Sequence, residues 1–88
     1  MNQDAYKKVQ DQWRDNKVYL VAVQEIATTG KVLLASAIER SAVLLEAWKM
    51  AYDFVLTNTK DYDQLNPTES ILLARRMYQA ILEIIYRS

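Results

Sequence analysis

Residues 27–36 read Ala27-Thr28-Thr29-Gly30-Lys31-Val32-Leu33-Leu34-Ala35-Ser36, and the fold depends on whether the chain bends back there. Gly30 is the sole glycine among 88 residues, and glycine commonly stands just past a helix end. Against a turn, nothing after Gly30 can cap a new helix until Ser36. A single glycine inside a helix costs only about 1 kcal/mol relative to alanine. The apolar pattern also continues across it. Reading alternately three and four residues apart gives Tyr6, Val9, Trp13, Asn16, Leu20, Val23, Ala27, Gly30, Leu34, Ala37, Ser41, Leu44, Trp48, Ala51 and Val55. That is the seam of a coiled coil, held in phase through about seven heptads, with Asn16 as a polar residue of the kind that sets register. The expectation is one long helix over about 4–57, with any bend at Gly30. A turn there would give a monomeric three-helix bundle instead.

Downstream, Thr57-Asn58-Thr59-Lys60-Asp61-Tyr62-Asp63-Gln64-Leu65-Asn66-Pro67 is rich in side chains that compete for backbone hydrogen bonds, which predicts a loop over about 58–66. Asn66 can cap, Pro67 suits the first helical position, and Glu69 stands three residues after the cap. A second helix is predicted over about 67–87, apolar on most of its faces and therefore covered on several sides. Leu44 and Ile81 lie on the most consistently apolar stripes and are expected to be buried. The whole chain reads as one all-α domain.

A helix of that length would measure roughly 80 Å, and a helix of about 20 residues folding back on it covers only some 30 Å. The N-terminal half would then lie open, with Tyr6, Val9, Trp13, Leu20 and Val23 uncovered. Exposed apolar surface of that size marks an interface. These five residues are the expected oligomer or partner interface, and the expected state is a homodimer or larger assembly.

Composition narrows the function. The chain is 51% hydrophobic and 25% charged, too apolar for a disordered segment. It holds neither Cys nor His, which removes disulfides, thiolate nucleophiles, the commonest general base and the commonest metal ligand. Eleven basic residues balance eleven acidic ones, and no third of the chain is strongly one-signed. Nucleic-acid binding needs a basic patch and is not expected. The charged N-terminal residues are unlike a secretory signal, and the apolar runs 32–45 and 71–86 are broken by charges. A cytoplasmic protein without membrane insertion is expected.

No motif carries chemistry. Gly30-Lys31 matches the end of a phosphate-binding loop but lacks the second Gly and the following Ser or Thr. Asp61-Tyr62-Asp63 opens like a calcium loop, yet Leu65, Asn66 and Leu72 stand where an oxygen ligand, a Gly and a Glu are needed. Glu39-Arg40 reads as a solvent-facing pair, Trp13 and Trp48 as packing residues, and Tyr62 and Tyr86 as exposed contacts. No catalytic, cofactor-binding or metal residue is assigned. The expected role is a non-catalytic helical interaction module that binds itself and another protein, such as a regulator or inhibitor, an adaptor or chaperone, or an assembly subunit. The alternative is a small all-α enzyme that holds an anionic metabolite between charged residues inside the bundle.

Overall fold

A computed structural model describes residues 3–36, 39–60 and 65–87. It contains four helices: α1 (Gln3–Arg14), α2 (Lys17–Ser36), α3 (Arg40–Asn58) and α4 (Pro67–Arg87). The stretch 4–57 is therefore three helices and not one. The longest dimension is 41 Å, half the length a continuous helix would need.

Gly30 is not where the chain turns. It sits inside α2 with helical φ, and no described residue has positive φ. The first corner falls at Asp15-Asn16. There the Asn16 side-chain oxygen accepts hydrogen bonds from the backbone N–H of Val18 at 2.8 Å and of Tyr19 at 3.3 Å. Leu20 N–H donates to the Asn16 carbonyl at 3.0 Å, so Asn16 caps α2 and does not set a register within a seam. α2 ends at Ser36 and α3 begins at Arg40. Glu39 is extended (φ −117°, ψ 107°) at the N-cap of α3, and its side chain makes no capping hydrogen bond.

Local chemistry closes α3 and opens α4. Thr59 N–H donates to the Val55 carbonyl at 3.0 Å, and its hydroxyl donates to the same oxygen. The Asn66 side-chain oxygen accepts from Glu69 N–H at 2.9 Å, which satisfies one helix-end donor, while its amide donates to Glu69 Oε1 at 3.3 Å, a side-chain link that holds the cap in place. Glu69 is buried by this arrangement, and its Oε2 has no hydrogen-bond partner among the described residues.

α4 is the spine against which the other three helices pack. Leu73, Ala74, Met77, Ile81 and Ile85 form its buried stripe. Toward one end, Met77, Ile81 and Ile85 meet Val23, Ala27 and Ala51. Toward the other, Leu73 and Ala74 meet Val9, Trp13 and Val55. Alanines at 27, 47, 51 and 74 let the backbones approach closely, and aromatic rings fill the wider end. Trp13 stacks on Tyr19 with centroids 5.1 Å apart and meets Phe54 edge-on at 5.4 Å. Trp48 meets Tyr78 edge-on at 5.6 Å. Ile81 is fully buried, whereas Leu44 is only half-buried, because the inward stripe of α3 is Ala47, Ala51 and Val55.

Candidate functional site

The fold reassigns the residues expected to form an interface. Val9, Trp13 and Val23 belong to the chain's own core, and Tyr6 is half-buried against it. Only Leu20 stands open, at 49% exposure. The reason is the corner at Asn16, which turns α1 back and gives it the cover that a continuous helix would have lacked. A surface containing Val9, Trp13 and Val23 could reach a partner only if the chain opened.

A different apolar surface emerges on α2. Its buried residues, Val23, Ala27 and Gly30, occupy one side of the helix. At 100° per residue, Val18, Val21, Glu25, Thr28, Val32 and Ala35 fall opposite that side, and all six are exposed. They recur at intervals of three and four, so α2 carries a second seam on its solvent face. Val32 and Val18 are the most exposed of its large residues, at 66% and 62%. Beside this stripe runs a shallow groove of about 400 Å³, bounded by Val18, Val21, Ala22, Glu25 and Phe54. In length and mean hydropathy (1.3) α2 also resembles a membrane span, although its inner face is occupied by the core.

The structure also has a polar cleft of about 650 Å³ between the α1–α2 corner and α4, where Gln10, Arg14, Tyr19, Arg76, Gln79 and Glu83 gather. With its amide oxygen facing α4, Gln10 accepts from Arg76 Nε at 2.6 Å and Nη1 at 2.8 Å. Burial pushes the Tyr19 phenol above its ordinary value, against the opposing pull of the Arg76 guanidinium. The phenol therefore keeps its proton at neutral pH and can only donate or accept a hydrogen bond. Chemically, the cleft offers two guanidinium groups and two amides to an anion, with one carboxylate at its edge.

The remaining motifs resolve simply. Lys31 follows Gly30 within a helix, so no loop exists to cradle phosphate. Arg40 is exposed and stands over the Tyr86 ring, 5.7 Å from its centroid, on the outside of the bundle. Asp61, Tyr62 and Asp63 lie outside the described residues. Among the described residues, no group of three potential metal ligands comes together.

Comparison of the chain with protein-family models, with curated proteins and with solved structures returns no match.

Proposed function

We propose that this protein is a non-catalytic α-helical interaction module that acts as a homo-oligomer and engages another protein, as a regulator or inhibitor, an adaptor or chaperone, or an assembly subunit does. The observation that carries this reading is the exposed stripe of α2, where Val18, Val21 and Val32 line up opposite the core. Leu20 and Leu33, at 49% and 41% exposure, widen the same helix's apolar surface on its flanks. Scattered apolar residues are ordinary on a protein surface, but an aligned row of them favours contact with another apolar face. Zero net charge and interspersed signs argue for a protein partner and against nucleic acid. A cytoplasmic setting fits the absence of Cys, which leaves no need for an oxidising compartment.

Light scattering across a concentration series tests self-association. The expected mass is at least twice 10.2 kDa at micromolar concentration. A mass of one chain at every concentration overturns the homo-oligomer.

The second reading is a small helical enzyme that binds an anionic metabolite, and it draws on the polar cleft at Arg76. Thermal shifts with small carboxylates and phosphates test it. A shift abolished by Arg76→Gln would favour the enzyme over the module.

A further inference from the structure

We infer that the cleft between α1, α2 and α4 binds a small organic oxyanion, a carboxylate or phosphate carried on an apolar body, and that the bound ligand fastens α1 to α4. This inference rests on the anion binding of the second reading above, requires no catalysis, and adds the form of the ligand and the coupling to α1.

Arg76 is the centre of the site. Among the described residues no carboxylate pairs with it, and its neighbours across the cleft are the amide oxygen of Gln10 and the phenol of Tyr19. Both are neutral at pH 7. A guanidinium carries five N–H donors, more than one amide oxygen satisfies. Its charge therefore faces the cleft without a counter-charge, and Arg14 adds a second cation from α1. Arg14 is shared with Asp11 in an exposed pair at 3.7 Å, so Arg76 takes the oxyanion and Arg14 assists.

The rest of the lining defines what the oxyanion is attached to. Trp13, Leu73 and Ala80 give the cleft apolar surface, and its volume of about 650 Å³ lies in the range of sites for organic ligands. A bare phosphate would leave that surface in water. Glu83 stands two turns beyond Arg76, about 10 Å along α4, and repels a second anionic group there. The site thus favours a single oxyanion over a polyphosphate or a nucleic-acid backbone.

The cleft is complete only while α1 is in place. α1 is the shortest helix, and its buried residues are Val9 and Trp13. A terminal helix with two anchors is the element that opens at least cost. Gln10, Trp13 and Arg14 leave the cleft with it. A ligand that binds only the assembled site therefore stabilises the docked position of α1.

Phenyl phosphate is the probe, with inorganic phosphate and benzyl alcohol as its two halves, measured by titration calorimetry on the full chain. Phenyl phosphate should bind more tightly than either half. Arg76→Gln should weaken it by about tenfold or more, as loss of a charge-assisted contact does. Arg75→Gln removes the same charge from the neighbouring residue of α4, outside the cleft, and should change little. Both arginines are exposed, so neither change disturbs the core. Equal losses in the two variants would mean diffuse attraction and overturn the site. Benzyl alcohol binding as tightly as phenyl phosphate overturns the oxyanion, and inorganic phosphate doing so overturns the apolar body. No binding of phenyl phosphate overturns the inference together with the second reading.

Hydrogen exchange tests the coupling. At ten times its dissociation constant, phenyl phosphate should slow every opening that dismantles the site about elevenfold, and the amides of α1 should show that factor. Gln10→Ala should weaken binding by about twofold to tenfold, the effect of one hydrogen-bonding group. Unchanged exchange in α1 beside slowed exchange in α2 and α4, or undiminished binding by Gln10→Ala, overturns the clamp and leaves the anion site standing.

Discussion

The Cδ1 methyl of Ile85 stands 2.9 Å from where a Cβ on Gly30 would lie, so the last turns of α4 occupy the space that any side chain at residue 30 would need. Gly30 is thus a packing residue and not a hinge. Its helical φ carries no conformational demand for glycine, and the demand comes wholly from the neighbour. Gly30→Ala gains up to about 1 kcal/mol of helix propensity but forces Ile85 to change rotamer. Removing the Cδ1 with Ile85→Val clears the space. A double-mutant cycle followed by urea unfolding compares the parent chain, each single variant and the pair. Gly30→Ala should be more favourable by about 0.5–1.5 kcal/mol when Ile85→Val is already present. Additive effects would mean that the two residues do not touch.

Ile81 and Leu44 look equivalent on helical wheels, yet the fold separates them. Ile81 is sealed within the α2–α3–α4 cluster, and Ile81→Ala should cost about 2–5 kcal/mol. Leu44 keeps part of its surface in water, so Leu44→Ala should cost about 1 kcal/mol. Denaturant midpoints will rank the two, and equal costs would contradict the half-buried position of Leu44.

Asn16 discriminates between a corner and a continuous seam. Asn16→Ala removes the acceptor for Val18 and Tyr19 N–H and should cost about 1 kcal/mol, while Asn16→Asp should retain most of the cap. Asn16→Leu is more telling. A leucine would strengthen a coiled-coil seam, but at this corner it should destabilise. A rise in melting temperature for Asn16→Leu would argue for an uninterrupted helix.

Helical periodicity makes the all-α character legible, and the Asn66-Pro67-Thr68-Glu69 start is visible in the structure as an Asn66 cap linked to the Glu69 side chain, a variant of the capping box. The two extra corners are harder to see, for different reasons. Asn16 has the chemistry of a cap, but it also falls in phase with Trp13 and Leu20, and the longer pattern outweighs the local signal. Between Ser36 and Arg40 the chain offers no cap, because Glu39 makes no side-chain hydrogen bond there. Packing supplies the rest, with Ala51 and Val55 of α3 set against α4. The inner and outer faces of α2 are both written in the chain. Only the corner at Asn16 decides that Val23 points inward and Val21 outward.

Alkaline pH should weaken the fold. Burial raises the Tyr19 phenol above its ordinary value, and burial followed by the neighbouring Tyr86 raises Tyr78. The unfolded chain therefore releases these protons first as pH climbs past about 10. The native state then binds more protons than the unfolded state, so stability must fall with rising pH. The contribution is complete below about pH 10 and is lost as pH passes through the raised native values. Urea midpoints at about pH 8 and about pH 10.5 should differ, and the difference should shrink in Tyr19→Phe/Tyr78→Phe. An unchanged difference would assign the alkaline loss to other groups.

Because α4 supplies the wall for both core clusters, nothing upstream of it can finish folding alone. During synthesis, α1, α2 and α3 are complete once Asn58 has been added, yet Met77, Ile81 and Ile85 are still to come. At about 5–20 residues per second, the 29 residues from Asn58 to Arg87 take roughly 1.5–6 s. Throughout that interval Val23, Ala27 and Ala51 have no wall to pack against. A newborn chain is then open to capture by a chaperone or by the α4 of a neighbouring copy. Overexpression from crowded polysomes should accordingly yield some domain-swapped dimers, in which α4 is exchanged between chains.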